Sequence, residues 1–256
     1  MEKHYQGYLI DLDGTIYLGK EVIPAGKRFI ERLQELELPF LFVTNNTTKT
    51  PEAVADRLAK EFDIHVGANT VYTASLATID YMKEQDKGNR VYVIGESGLV
   101  DLILSAGFVW DEEAPDYVVV GLDTAINYEK FATAALCIRN GATFIGTNPD
   151  KSIPTERGLL PGAGSFISLV QTATQTDPIM IGKPNAIIMN EALKVMQLEK
   201  PHVLMVGDNY ETDIQSGLQN GIDSLLVLSG FTTKAAVSTL PEQPTYVVDS
   251  LDEWIF

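Results

Sequence analysis

Tyr8-Leu9-Ile10-Asp11-Leu12-Asp13-Gly14-Thr15 sets an apolar run directly against two acids and a glycine. In an open parallel sheet, ligands collect beyond the carboxyl ends of the strands, so a strand over Tyr8–Leu12 places both acids where chemistry is done. Residues two apart on an extended segment point to the same side, and both carboxylates can then address one ligand. Asp13-Gly14 is equally a turn signal, and the stretch alone does not separate the two readings.

Outward from this stretch the same grammar repeats. Short β-rich runs are expected as strands at Pro39–Thr44, Arg90–Ile94, Tyr117–Val120, Ala142–Ile145, Ile179–Ile181, Val203–Val206, Ser224–Leu228 and Thr245–Val248. Between them, helical periodicity predicts helices at Pro24–Glu35, Pro51–Lys60, Leu76–Lys83, Tyr128–Asn140, Gly164–Thr174, Ala186–Met196 and Thr212–Asn220. Alternation of this kind is the pattern of parallel βα units, which sets the class as α/β. Gly107, Gly141 and Gly221 each fall after a helical pattern and before a strand, where a terminating glycine belongs. The polar stretch Thr172–Pro178 and the charged stretch Tyr81–Asn89 read as domain junctions.

Composition narrows the function. With 19 basic and 35 acidic residues the net charge is −16, which repels a polyanion over most of the surface and argues against nucleic-acid binding. An anionic substrate would need a local positive charge, such as a metal ion or a lysine. The single cysteine, Cys137, lies in an apolar helix-like segment and reads as a packing residue. The run Tyr8–Ile10 is too short for a signal-peptide core, and no apolar run approaches the ~20 residues that span a bilayer. A cytoplasmic protein without a membrane partner is the expectation.

Three further stretches end in groups suited to a phosphorylated ligand. Phe40-Leu-Phe-Val-Thr44-Asn45-Asn46 closes a strand with a hydroxyl and successive amides that can hold phosphate oxygens without adding negative charge, or can form a cap or Asx turn. Gly182-Lys183-Pro184 places a cation after the Ile179–Ile181 strand, or a solvated surface lysine. It lacks the spacing of a phosphate-binding P-loop. Val203-Leu-Met-Val-Gly207-Asp208-Asn209 ends another strand in an acid that can complete a hard-oxygen magnesium site with Asp11. Asp213, in Glu211-Thr212-Asp213, reads as ordering that site, as a helix N-terminal acid, or as both. Gly95-Glu96-Ser97-Gly98 is not a nucleotide fingerprint and reads as a cap turn.

Taken in order, the acid pair, Thr-Asn-Asn, Gly-Lys-Pro and Gly-Asp-x-x-x-x-Asp, this sequence resembles the haloacid dehalogenase-like phosphatases. Within them it resembles the NagD and p-nitrophenylphosphatase branch, which also includes pyridoxal phosphate phosphatases. Thr147-Asn148-Pro149-Asp150 and Leu160-Pro-Gly-Ala-Gly164 are similar to that branch's inserted cap. The resemblance implies a doubly wound, parallel-sheet, Rossmann-like core with an inserted α/β cap, here residues 1–80 and 179–256 for the core and 81–178 for the cap. It implies Asp11 as nucleophile and Asp13 as general acid and base, with Mg²⁺ held by Asp11, the Asp13 carbonyl and Asp208. Thr44, Asn45, Asn46 and Lys183 would hold the phosphoryl group, Asn209 and Asp213 would order the metal side, and Asn148 and Asp150 would contribute specificity from the cap. The implied reaction is hydrolysis of a small phosphorylated metabolite, a nucleotide, sugar or cofactor phosphate, through an aspartyl-phosphate. A homodimer through the cap is a further expectation. A mutase of the same superfamily and a non-catalytic phosphometabolite-binding protein are the alternatives.

Overall fold

Gly7–Ile10, the strand that opens into the acid pair, is buried along its whole length, as expected of a parallel strand covered on both faces. In the computed structural model, which describes residues 4–155 and 157–256, it lies inside a six-stranded sheet. The strand order is Tyr246–Val248, Asp223–Val227, Val203–Gly207, Gly7–Ile10, Phe40–Thr44 and Val71–Thr73. Leu9 lies opposite Met205 on one side and Leu41 on the other, and both pairings are parallel. The chain builds from Gly7–Ile10 to one edge and later from Val203–Gly207 to the other. Strand order therefore reverses between those two, the switch point at which loops diverge and leave a crevice.

The described residues form two compact units. One takes the chain up to Thr44, then Pro51–Tyr72 and Lys183–Phe256. Its core gathers Tyr8, Ile10, Phe42, Leu204, Val206, Leu225 and Val227 from the sheet. Helix Pro24–Glu35 starts on a proline, which suits a first turn where no amide partner is needed, and buries Ala25, Phe29, Ile30 and Leu33 at three- and four-residue spacing. Phe29, Ile30 and Leu33 each contribute about 1.5–3 kcal/mol by leaving water.

The second unit comprises Asn45–Thr50 and Thr73–Gly182. It holds a five-stranded sheet in the order Ile179–Met180, Thr143–Gly146, Tyr117–Val120, Arg90–Ile94 and Val109–Trp110, with every pairing parallel. Tyr92, Ile94, Val118, Val120 and Phe144 pack there against Cys137, Ile138, Ile167 and Val170, so the cysteine is a buried free thiol. The stretch 81–178 lies inside this unit, whose ends fall elsewhere. Residue 81 sits within helix Ala74–Gln85, and Ile179–Met180 pairs with Thr143–Gly146.

The α/β class is the observed one, with differences at particular elements. Strand one stops at Ile10 and not at Leu12, because the amides of Thr15, Ile16 and Tyr17 all converge on the Leu12 carbonyl and turn the chain. The helix expected over Thr212–Asn220 is a wide π-type turn, Tyr210–Ile214, followed by an α-helix, Gln215–Asn220. Thr172, placed in a junction by its polar surroundings, belongs to helix Ala163–Thr174. Helix Ser97–Ser105 and the hairpins Tyr17–Leu18/Glu21–Val22 and Ser152–Thr155/Gly158–Pro161 were not expected. No helix among the described residues is long and apolar enough to cross a membrane.

Candidate active site

Asp11 follows strand Gly7–Ile10 and Asp208 follows strand Val203–Gly207, so the two acids flank the switch point of the first unit's sheet. Asp213 joins them, and one carboxylate oxygen from each of the three lies within 4.8 Å of the others. Lys183 sits among them. Lys183 Nζ donates to Asp11 Oδ1 at 2.6 Å and to Asp213 Oδ1 at 2.7 Å, and its side chain is 2% exposed. Burial opposes the ammonium charge, but Asp11 and Asp213 outweigh it and raise its pKa, so Lys183 stays charged.

Three carboxylates against one ammonium leave surplus negative charge. Burial pushes the Asp11 carboxyl well above its usual range, Asp213 and Asp208 push it further, and Lys183 pulls it back. Burial, then Asp213, pushes Asp208 up to about 6, against the stabilising Phe231 N–H. A buried hard-oxygen cluster with excess charge is the donor set that suits a small divalent cation.

The surrounding main chain fixes each acid. Asp208 Oδ2 accepts from the Phe231 amide at 2.5 Å, Oδ1 accepts from Thr15 Oγ1 at 3.4 Å, and the Asp208 carbonyl accepts from the Thr232 amide. Gly14 has φ +95°, and a Cβ there would come within 2.3 Å of Asp208 Oδ2, so glycine is required by conformation and by space. Its carbonyl accepts from Ser229 Oγ at 2.7 Å. Asp213 Oδ2 accepts from the Asn209 amide at 3.1 Å, while the Asn209 side chain caps the following turn through the Glu211 amide. Asp213 thus serves the turn and Lys183 together. Gly207 leaves it room, since a Cβ would lie 2.3 Å from that of Asp213.

Asp13 is exposed, and its Oδ1 accepts from the Gly19 amide at 3.4 Å. Thr44 is buried at the end of strand Phe40–Thr44. The other expected residues belong to the second unit and gather there. The Asn45 amide group donates to Asp150 Oδ1 at 3.2 Å, the Asn148 amide group donates to the Asn45 carbonyl at 2.8 Å, and the Asp150 amide donates to Asn148 Oδ1. Asn46 forms an Asx turn, its Oδ1 accepting from the Thr48 amide at 2.7 Å.

Thr15, Phe231 and Thr232 support Asp208 and Ser229 holds the Gly14 carbonyl, roles that the sequence reading did not assign. The signal for the last three was available. Ser229-Gly230 follows strand Asp223–Val227, which neighbours the strand carrying Asp208.

Residues 8–109 match the model of the haloacid dehalogenase-like hydrolases and residues 180–254 match a HAD-hydrolase-like model. The chain is 49% identical to the 5'-nucleotidase YutF of Bacillus subtilis over 99% of this chain and 98% of that one. It is also 49% identical to an acid sugar phosphatase of Staphylococcus aureus, with the same coverage. Among solved structures, a thermostable NPPase double mutant from Geobacillus stearothermophilus superposes with a TM-score of 0.92 at 47% identity, over 100% of this chain and 99% of that one. The p-nitrophenyl phosphatase of Archaeoglobus fulgidus gives 0.92 at 33% identity, over 98% of each. With family models covering both ends of the chain and these relatives matching it nearly end to end, the chain belongs to the haloacid dehalogenase-like hydrolases, among the phosphatases of the p-nitrophenylphosphatase branch.

Proposed function

We infer that this phosphatase hydrolyses small phosphate monoesters with Asp11 as nucleophile and Asp13 as general acid and base, and that the reaction requires Mg²⁺. The observation that carries the reading is the cluster of Asp11, Asp208 and Asp213 around Lys183. Asp11 and Asp208, with the Asp13 carbonyl that the family resemblance implies, are the residues that would hold the ion, and Asp213, bonded to Lys183 and to the Asn209 amide, would order that side of the site. Bound there, Mg²⁺ would supply charge neutralisation for the phosphoryl group and the attacking carboxylate. Lys183 pulls the buried Asp11 carboxyl back toward its charged form and adds positive charge where the phosphoryl oxygens come to lie. Thr44, with Asn45 and the amides after it, would hold those oxygens without adding negative charge.

Asp11 attacks phosphorus and forms an aspartyl-phosphate as the ester oxygen departs. Asp13 gives that oxygen a proton, then removes one from the water that releases phosphate. Selectivity is left to the second unit, read as the cap, through the Thr147–Asp150 loop. The names of the relatives suggest nucleoside monophosphates, sugar phosphates and p-nitrophenyl phosphate as the substrates to test first.

The deciding experiment is phosphate release with Mg²⁺ by the wild type and by Asp11→Asn. The expected result is turnover in water alone for the wild type, and a folded but inactive variant that forms no phosphoenzyme. Near wild-type turnover by Asp11→Asn would refute the nucleophile assignment. Absence of free phosphate, with transfer of the phosphoryl group to an added acceptor sugar, would favour a mutase.

A further inference from the structure

The loop that touches Asp13 is held from outside. Strands Tyr17–Leu18 and Glu21–Val22 pair over only two residues each, too short a hairpin to keep its own shape. Its tip is the two-residue loop Gly19-Lys20, with Gly19 at φ +60°, the left-handed region that tight hairpin loops favour. From this loop the Gly19 amide reaches Asp13 Oδ1 at 3.4 Å. The orientation of Asp13 is therefore only as well defined as the position of the loop.

Arg57, in helix Pro51–Phe62, donates through Nη2 to the Gly19 carbonyl. Its guanidinium carbon lies 4.6 Å from the centre of the Tyr17 ring and 5.2 Å from that of Phe62. Those two rings stack on each other at 4.7 Å with an interplanar angle of 14°. Nε donates to Glu61 Oε2 at 2.9 Å. A planar cation packed beside two rings and hydrogen-bonded at two edges has little freedom left. The helix that carries it is anchored by Val54, Leu58 and Phe62 in the core. Arg57 thus ties a marginal hairpin to a rigid element.

From this geometry we propose that Arg57 is a positioning residue for Asp13. Through the Gly19 loop it holds the carboxyl group where a proton can pass to the leaving oxygen and, later, from the attacking water. The proposal rests on the reading of Asp13 as general acid and base.

The test compares Arg57→Ala, Arg57→Lys and Asp13→Asn in single-turnover formation of the phosphoenzyme, with p-nitrophenyl phosphate and with glycerol phosphate. Nitrophenolate departs without a proton, whereas the glycerol alkoxide needs one. Misplacing a catalytic group by ~1 Å costs up to ~100-fold, so Arg57→Ala is expected to slow the glycerol ester ~10-fold and the nitrophenyl ester less than ~3-fold. The KM and the inhibition constant for inorganic phosphate should stay unchanged. Arg57→Lys should recover part of the rate, since an ammonium can meet the Gly19 carbonyl but cannot hold it and Glu61 from two edges of one plane. Equal losses with both esters, or none with either, would overturn the proposal. If Asp13→Asn itself shows no dependence on the leaving group, the acid–base reading fails, independently of Arg57.

Discussion

Removing the cation at the centre of the acid cluster should be costly even in the absence of substrate. Lys183→Met keeps the length of the side chain and deletes its charge at a site that is 2% exposed. At contact distances of 2.6 and 2.7 Å, each ion pair has a gross attraction of about 6 kcal/mol at an effective dielectric of ~20. Most of this is offset by the desolvation that the lysine and the acids have already undergone. What the variant exposes is the other side of that balance, two buried carboxylates without their counter-charge, for which loss of one partner typically costs about 3–5 kcal/mol. A folded protein with about 5–15 kcal/mol of stability survives this. Urea unfolding in EDTA is the assay. Trp254 reports the unit that holds the cluster, packed 5.1 Å from Tyr246, and a Trp110→Phe background silences the only other tryptophan. Asp213→Asn alone and combined with Lys183→Met completes a cycle, and neighbours sharing one network should couple by about 0.5–3 kcal/mol. A loss below about 1 kcal/mol for Lys183→Met, or strict additivity, would refute the argument that this lysine neutralises the cluster.

Two further outcomes follow from the same geometry. Mg²⁺ should raise the melting temperature of the wild type, by the equivalent of about 2.7 kcal/mol at one hundred times its dissociation constant, and Asp208→Asn should lose that shift. An equal shift in the variant would remove Asp208 from the metal site. Asp150→Ala should reorder kcat/KM among phosphorylated metabolites while changing p-nitrophenyl phosphate hydrolysis less than ~3-fold. Because Asp150 also receives the Asn45 amide group, a uniform loss across substrates would assign it to holding Asn45.

The parts of this molecule that were legible in the sequence are those where local pattern and tertiary demand coincide. Strand Arg90–Ile94 beyond its exposed first residue, and strand Tyr117–Val120 throughout, are built of apolar and aromatic residues because both faces are buried, and their bounds could be read directly. Helix Ser97–Ser105 was hidden by Gly98, whose place is explained by tertiary contact. A Cβ there would lie 2.5 Å from the Thr48 carbonyl, a contact to which local propensity is blind. The hairpin Ser152–Thr155/Gly158–Pro161 carries two prolines and an exposed Leu159, so no alternation marks it. In the site, Asp11, Asp208 and Lys183 stood out as polar groups ending apolar strands. The partnership of Lys183 with Asp11 spans 172 residues and is invisible to spacing. Thr15 and Phe231 support Asp208 through a short hydroxyl and a main-chain amide, which side-chain chemistry read along the chain could not nominate.

The placement of strand Gly7–Ile10 beside Val203–Gly207 has a consequence for synthesis. Ile10 leaves the ribosome early, yet its partner Val206 follows almost two hundred residues later, a delay of about 10–40 s at 5–20 residues per second. During that interval the apolar strand that leads into Asp11 has only the neighbour on its other side, Phe40–Thr44. The stretch from Thr73 to Gly182 is by contrast contiguous and can fold as soon as it emerges. The nascent chain therefore completes its inserted unit first and assembles its reactive acids last. A ribosome stalled after Gly182 has emerged but before Val203 leaves a product that has a well-formed insertion and an open sheet edge, which is a substrate for chaperones and a seed for aggregation.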